Sequence, residues 1–157
     1  MGIDKFYLYQ RRSDLTELLF GHDDQIAGWV AQRIPHMHGK PFVDFSAIGV
    51  THAGGLIAGV VYNELYPEYR TLQLSMAAES PKWARRGIIK ALLHYPFEQL
   101  EINKLWTATP HTNERAIRFN LGIGFKREAV LRHHFGPKSH SVICSMLKSE
   151  YRRRYAE

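Results

Sequence analysis

The sequence predicts a single α/β domain of the α+β kind, in which a mixed and mostly antiparallel sheet carries helices on both faces. Three observations support this. Consecutive strand patterns fill the first half of the chain, helices and strands alternate in the second half, and 45% of the 157 residues are hydrophobic. A chain of this length can bury a substantial core as one domain, and this order of elements favours a layered sheet with packed helices.

The first half of the chain is predicted to hold a strand, two helices and a three-stranded meander. In order, these elements span residues 3–10, 14–20, 23–34, 42–52, 56–65 and 71–78. The longer helix has an acidic start, which suits a helix N-terminus, and Pro35 follows it. Gly54 and Gly55 are predicted to form the first hairpin turn. Gly59, inside a strand, indicates a close approach of another element or a bulge.

Helices and strands alternate in the second half. The patterns predict helices at 85–100 and 112–121 and strands at 105–109, 125–135 and 141–148. Pro96 is expected to kink the first of these helices because it lacks a backbone donor. Thr112 or Asn113 could cap the second helix. The arginines at 152–154 are expected to form a solvated basic tail.

Composition argues against a membrane-spanning protein and favours an anionic partner. The chain has no run of 18 apolar residues and no uninterrupted apolar segment near its N-terminus. Cys144 is the only cysteine, so no internal disulfide can form, and a cytoplasmic location follows as the default. A net charge of +6 suits nucleic acid, a phosphorylated cofactor or an acidic substrate.

A basic loop before a helix is the first candidate binding site. The strand at 71–78 is followed by Pro81, and Arg85 and Arg86 precede Gly87 where the helix begins. The first amides of a helix lack intrahelical partners, and the helix dipole adds to their attraction for anions. A glycine lets the backbone approach a phosphate closely. Neither a Walker loop nor GxGxxG is present, so a solvated connection fits the same residues.

Residues 112–132 carry a more specific signal. Asn113 is followed by Ala116, then by a helix that ends in Gly124-Phe125, and Glu128 begins the next strand. This pattern resembles the C-terminal half of the GNAT-superfamily N-acetyltransferases. The order of elements agrees with that superfamily over nearly the whole chain.

The resemblance implies a function as well as a fold. An N-acetyltransferase of this kind moves the acetyl group of acetyl-CoA to a primary amine of a protein, peptide or small molecule, without a metal. Residues 124–132 and 142–151 further resemble the branch that acetylates ribosomal-protein N-termini. The implied partners are acetyl-CoA and an amine acceptor, with a protein or peptide amine slightly favoured. A homodimer is one assembly that the chain could form, and no membrane association is expected.

The resemblance also assigns a cofactor site. The loop at 84–90 is expected to hold the pyrophosphate of acetyl-CoA, and the backbone of the preceding strand its pantetheine arm. The assigned residues are Met76, Ala77, Ala78, Ala84, Arg85, Arg86, Gly87, Ile88, Ile89, Lys90, Asn113, Ala116, Phe119 and Asn120. Ala84 stands where the family prefers Gln or Arg, and Ile89 where it prefers a small residue. Many members place a tyrosine acid where this chain has Asn120, so no side-chain acid is expected.

Acetyl transfer needs a neutral amine, a polarised carbonyl and a fixed geometry between them. Glu79 is the candidate general base because it lies at the strand end beside the cofactor loop. An exposed carboxylate paired with Lys82 or Arg85 fits the same position. Gln73 and Ser75 share the alternate face of the strand and are candidates for lining the cleft.

Other functions fit the sequence less well. A catalytically silent CoA-binding module is the first alternative, and a basic nucleic-acid-binding protein is the second. The second is disfavoured because positive charge is not interleaved with aromatics outside the tail. His36 and His38 form one histidine pair and His133 and His134 another, but neither completes a metal ligand set. Cys144 lies in an apolar strand and is expected to be a small core residue.

Overall fold

The computed structural model describes residues 15–156, which contain seven strands and four α-helices. The strands are β1 (Thr16–Leu19), β2 (Ser46–His52), β3 (Gly55–Tyr66), β4 (Thr71–Ala78), β5 (Lys104–Pro110), β6 (Lys126–Leu131) and β7 (Ser141–Leu147). The α-helices are α1 (Asp23–Arg33), α2 (Arg86–His94), α3 (Glu114–Gly122) and α4 (Lys148–Tyr155). None of the helices in this part of the chain is both long and apolar enough to cross a membrane.

The seven strands form one sheet in the order β1-β2-β3-β4-β5-β7-β6. Antiparallel pairing joins β1 to β2, β2 to β3, β5 to β7 and β6 to β7. Strands β4 and β5 pair in parallel, from Thr71 opposite Lys104 to Gln73 opposite Trp106. The mixed, mostly antiparallel sheet confirms the fold class predicted from the sequence.

The described chain divides into two compact units. The first is the part up to Asn63 together with Ser75–Leu92, and the second is Glu64–Leu74 together with the chain from Leu93 onward. Helix α1 and strands β1 and β2 belong to the first unit. Strands β5 to β7 and helices α3 and α4 belong to the second. The single-domain organisation expected from the sequence stays a prediction.

Three elements differ from the sequence-based prediction. The segment predicted as a helix at 14–20 contains strand β1, because seven residues are too few for periodicity to separate a helix from a strand. The hairpin turn lies one residue earlier than predicted, at Ala53-Gly54, where both residues have positive φ. The tail forms helix α4. The strand predicted at 3–10 lies outside the described residues.

Helix α1 packs closely on the sheet of the first unit because two glycines lie beneath it. Gly49 and Gly59 are cross-strand neighbours in β2 and β3. A Cβ on Gly59 would lie 2.6 Å from Cγ2 of Val30, and one on Gly49 would lie 3.2 Å from Cδ1 of Ile26. Both helix residues are fully buried in the core. The close approach predicted at Gly59 is therefore confirmed.

Helix α2 changes to π-helical geometry at Tyr95–Gln99, where Pro96 falls. Because Pro96 has no N–H, it cannot donate to the carbonyl of Leu92, one turn before it. The buried hydroxyl of Tyr62 on β3 donates to this carbonyl, with an O···O distance of 2.6 Å. The predicted kink is thus a change of helix type, supported by a side chain from the sheet.

Helix α4 is packed into the second unit, so the prediction of a solvated tail was wrong. Tyr151 is buried and stacks on Phe97, with ring centroids 5.1 Å apart. Arg152 donates two hydrogen bonds to the carboxylate of Glu98, and this contact lowers the pKa of Glu98. Arg154 donates to a carbonyl at the end of α3. These basic residues therefore have structural partners within the unit.

Candidate functional site

The end of β4 directs backbone groups away from β3. The amide of Glu79 donates to the carbonyl of Ile57 on β3, with an N···O distance of 2.8 Å. The N–H and C=O of one residue point to the same side of a strand, and successive residues alternate. Met76 and Ala78 therefore direct these groups away from β3, whereas Ala77 directs them toward it. Because the direction of the backbone groups alternates along the strand, those that face away from β3 and can meet a ligand belong to Met76 and Ala78.

A capped loop connects β4 to α2. The Ser80 hydroxyl oxygen accepts from the amide of Lys82 at 3.2 Å, and Trp83 is buried. These contacts hold the 3-10 turn Pro81–Trp83. The amides of Ala84 and Arg85 donate back into this turn. Two of the predicted loop residues therefore use their amides within the loop itself.

Helix α2 has an accessible first turn. The amide of Ile89 donates to the carbonyl of Arg85 at 2.9 Å, so the amides of Arg86, Gly87 and Ile88 precede the helical ladder. A Cβ built on Gly87 would meet no atom within 4 Å. Ile89 is buried, so its side chain belongs to the core, and its assignment to the cofactor stays a prediction. The part of the loop with amides placed for an anion is thus 86–88, and Lys90 lies beyond it.

Glu79 is paired with an arginine that the sequence did not indicate. The Nε of Arg33, the last residue of α1, donates to Oε2 of Glu79 at 2.7 Å. The sequence pointed instead to Lys82 or Arg85. Because 46 residues separate the two partners, no local pattern could have revealed the pair.

Ser75 and Gln73 lie two residues apart on β4 but in different units. The Ser75 hydroxyl donates to Oδ1 of Asn63 at 3.2 Å. Gln73 lies opposite Trp106 in the parallel pair with β5. The Ser75 hydroxyl is therefore engaged with a neighbouring side chain, and its role in lining a cleft stays a prediction.

Residues at the start of α3 and within it, which the resemblance assigned to the cofactor, make contacts in the second unit, and their role toward the cofactor stays a prediction. Asn113 is the N-cap, and its Oδ1 accepts from the amide of Ala116 at 3.2 Å. Asn120 is 4% exposed, and its Nδ2 donates to the hydroxyl of Thr107 on β5 at 3.3 Å. Phe119 is half-buried. Asn120 therefore joins α3 to the sheet, a contact that the sequence did not reveal.

Glu128 lies in a β-bulge of strand β6, where the pairing with β7 shifts register. Its carboxylate accepts from Nζ of Lys104 at 2.8 Å and from the hydroxyl of Ser145 at 2.7 Å. These two hydrogen bonds, that from Lys104 foremost, hold the pKa of Glu128 below its usual value. The network crosses β5, β6 and β7 and fixes the acidic residue of the sequence pattern.

Metal and thiol chemistry have little support in the described part of the chain. Within residues 15–156, no group of three His, Cys, Asp or Glu side chains could hold a metal ion. Cys144 is buried in β7, and burial raises the pKa of its thiol. A raised pKa disfavours the reactive thiolate, which agrees with the expected role as a core residue.

Solved structures share this fold, although no protein-family model and no curated protein matches the sequence. Mutant forms of the spermidine/spermine N-acetyltransferase SpeG from Vibrio cholerae are 23% identical over 70% of this chain and 68% of theirs, with a TM-score of 0.63. Another mutant of the Vibrio cholerae spermidine N-acetyltransferase SpeG is 16% identical over 87% and 96% of the two chains, with a TM-score of 0.69. A protein assigned as an acetyltransferase from T. thermophilus is 24% identical over 76% and 66%, with a TM-score of 0.61. The chain has the GNAT fold.

The GNAT pattern in this sequence corresponds to structural features. Asn113 caps α3, and Gly124 after that helix has a φ of 117°, which favours glycine. Phe125 is buried, and Glu128 holds the three-strand network. The residues of this pattern therefore mark the two ends of α3 and a position in strand β6. The narrower resemblance to the ribosomal-protein branch finds no support among these GNAT structures, since those with a named acceptor act on polyamines.

Proposed function

We propose that this protein is an acyltransferase that moves an acetyl group from acetyl-CoA to a primary amine. The observation that carries the proposal is the junction of β4 with α2. There, a strand end with outward backbone groups leads through a capped loop to a helical turn with open space at Gly87. The GNAT-fold structures that resemble this chain are acetyltransferases. This junction suits acetyl-CoA, which combines a diphosphate with an arm of amides.

Two groups of backbone atoms would hold acetyl-CoA, which supplies the thioester. The amides of Gly87 and Ile88, at the N-terminus of α2, would bind the diphosphate, and the cationic side chains of Arg85 and Arg86 add attraction. Backbone groups of Met76 and Ala78 would bind the pantetheine arm and polarise the reacting carbonyl. Holding the two reactants together supplies much of the rate in such a reaction.

Glu79 is the proposed general base. Its Oε2 is bound by Arg33, which leaves Oε1 to take a proton from the amine, directly or through water. No side-chain acid is assigned, because the side chain at position 120 is an amide, which cannot act as a general acid, and it is buried against Thr107. The leaving thiolate would take its proton from solvent.

The acceptor is proposed to be a protein or peptide amine. SpeG, the named enzyme among the similar structures, acetylates spermidine and spermine. A chain with a net charge of +6 repels such polycations over distance, whereas a peptide N-terminus carries at most one positive charge near neutral pH. A cytoplasmic location and a homodimer stay predictions.

A thermal-shift experiment tests the cofactor site. CoA at one hundred times its dissociation constant stabilises a folded protein by about 2.7 kcal/mol, which should raise the melting temperature by several degrees. Gly87→Glu should abolish the shift, because it places bulk and negative charge where the phosphate must lie. Arg153→Ala, which removes an exposed positive charge outside the loop, should keep it.

An oligonucleotide provides the comparison with the nucleic-acid alternative. If the oligonucleotide stabilises the protein and CoA does not, the proposed function is refuted. Release of free CoA thiol from acetyl-CoA, measured with a peptide amine and with spermidine, then separates an enzyme from a silent module. CoA binding without amine-dependent thiol release would support the silent module. The presence of Asn120 where many members have a tyrosine favours this alternative.

A further inference from the structure

Arg33 is held from one side before it reaches Glu79 on the other. Its Nη1 donates to the carbonyl of Trp29 at 3.0 Å, and its guanidinium carbon lies 3.8 Å from the centroid of the Trp29 ring. Its Nε donates to Oε2 of Glu79 at 2.7 Å. All three residues belong to the first unit. The contact joins the end of α1 to the end of β4.

Fold stability gives little reason for this arrangement. The side chains of Arg33 and Glu79 are 32% and 52% exposed, and exposed ion pairs contribute little to stability. The Trp29 ring and carbonyl restrict the guanidinium, whose planar donors suit a fixed contact with a carboxylate. The contact with Arg33 fixes Oε2 of Glu79 and leaves Oε1 pointing away from Arg33.

We propose that Arg33 is a positioning residue for Glu79 in acetyl transfer, an inference that rests on the function proposed above. In that reaction the amine nitrogen bonds to the acetyl carbon, the carbon–sulfur bond breaks, and sulfur leaves as the thiolate of CoA. The proton of the amine passes to Oε1 of Glu79. Because Arg33 holds Oε2, the carboxylate of Glu79 keeps one orientation and so does Oε1. Trp29 keeps Arg33 in place.

Steady-state kinetics of Arg33→Gln and Arg33→Lys test the inference, with Arg153→Gln as the matched control. Arg33→Gln should lower kcat by about tenfold to a hundredfold, because a small misplacement of a reacting group has effects of this size. The KM for acetyl-CoA and the melting temperature should stay unchanged. Arg33→Lys should recover part of the rate, since it restores the charge without the planar donors.

The outcomes separate the two proposals. No amine-dependent transfer by the wild-type protein would refute the proposed function, and this inference with it. Transfer by the wild type with an unchanged kcat in Arg33→Gln would refute the inference alone. A loss of rate accompanied by an equal loss in Arg153→Gln, or by a lower melting temperature, would show that Arg33 acts through charge or folding and would also overturn it.

A second, independent feature is a group of three histidines in the second unit, His111, His133 and His140, named here the histidine cluster. The ring centroids of His111 and His140 are 4.8 Å apart, and those of His133 and His140 are 5.2 Å apart. His111 lies between β5 and α3, and the other two lie in the loop between β6 and β7. The cluster joins two loops that are distant in sequence.

Each ring of the histidine cluster accepts a backbone hydrogen bond at Nδ1. The amide of His140 donates to His111 at 3.0 Å, the amide of His133 to His140 at 2.9 Å, and the amide of Lys138 to His133 at 3.2 Å. A nitrogen that accepts carries no proton, so the neutral rings of His133 and His140 are protonated at Nε2, whereas Nδ1 of His111 also lies 3.4 Å from the carbonyl oxygen of His140. A second proton on the ring of His140 would go to Nδ1, where the N–H of His133 already points.

The surrounding charges act in the same direction. Burial of its ring, followed by positive charge at His111, His133 and Arg132, lowers the pKa of His140. Lys138, a cationic residue of the same loop, contacts the cluster through its backbone amide. The folded state therefore binds fewer protons here than the unfolded chain. The stability of this contact is present above a pH of about 6.5 and is lost as the pH falls below that value.

We infer that the histidine cluster is a pH-sensitive contact that holds the β6–β7 loop against the start of α3 at neutral pH and releases it in acid. The amide of His111 also donates to the carbonyl of His140 at 2.8 Å, and Asn113 caps α3 two residues later. Release would therefore extend to the N-terminus of α3. This inference does not depend on the proposed enzymatic function.

Amide hydrogen exchange of residues 132–140 at pH 7.5 and 5.5, corrected for intrinsic rates, tests the inference. Protection should fall by up to about tenfold, because His140 must lose one proton before the contact can close. His140→Asn keeps an acceptor oxygen near the place of Nδ1 without titrating, so it should reduce the pH dependence. His134→Asn is the control, because its ring contacts Phe135 outside the cluster.

Imidazole ¹⁵N NMR at pH 7.5 gives a second measurement on the wild-type protein, independent of how the variants fold. Nδ1 of His133 and of His140 should be unprotonated. A protonated Nδ1 on His133 or His140 would overturn the inference. Protection that does not change with pH, or a pH dependence that His134→Asn removes as effectively as His140→Asn, would overturn it as well.

Discussion

Replacing Tyr62 with phenylalanine should destabilise the protein by removing the hydrogen bond to the Leu92 carbonyl. The side chain of Tyr62 is 1% exposed and Leu92 is 4% exposed, so water cannot replace the lost hydroxyl. Leaving a buried carbonyl without a donor costs about 1–3 kcal/mol. For a chain of this size, that loss corresponds to a fall of roughly 3–9 °C in melting temperature.

Denaturant unfolding of a double-mutant cycle measures this effect and its cause. In a Pro96→Ala background, residue 96 regains an N–H that can donate to the carbonyl of Leu92, so Tyr62→Phe should cost less than about 1 kcal/mol there. Tyr66→Phe is the control for the chemical change, because Tyr66 is exposed. An equal cost of Tyr62→Phe in both backgrounds would refute the role given to Pro96. A cost no larger than that of Tyr66→Phe would refute the role of the hydrogen bond.

Three further predictions concern the second unit. Asn120→Ala should lower the free energy of unfolding by about 1–3 kcal/mol, because the hydroxyl of Thr107 loses its buried donor. The same substitution should lower turnover by less than about tenfold. A thousandfold loss of turnover with normal folding would contradict this prediction. Truncation after Glu150 removes the buried Tyr151 and should cost at least about 3 kcal/mol, whereas an unchanged unfolding midpoint would show that α4 is dispensable. The pKa of Glu128 is lowered on folding, so its contribution is present above its unfolded pKa and lost as the pH falls through the folded value. Glu128→Gln should therefore flatten the loss of stability below about pH 4.5, and a pH profile like that of the wild type would count against the network.

The sequence predicted the features that depend on neighbouring residues. The sequence predicted a strand at 71–78, which is β4, and Asn113 was one of two residues expected to cap α3. Local patterns failed where they were short. The seven residues at 14–20 could not distinguish strand β1 from a helix, and an arginine-rich tail looked solvated because its partners lie far away in the chain. The sequence pattern of β4 also left open which of its backbone groups pair with β3, and the hydrogen bond from the amide of Glu79 to Ile57 decided it.

Only the tertiary structure decided which side chains meet. Arg33 pairs with Glu79 across 46 residues, and Tyr62 bonds to Leu92 across 30. Caps, turns and periodicity follow from residues within about one helical turn or a few strand positions. Contacts between distant segments depend instead on strand register and on how closely a helix approaches the sheet, and those are set by packing over the whole unit. The sequence therefore determined the order of elements and the candidate loop, while packing decided that Glu79 is held by α1 and that Asn120 is a buried structural residue.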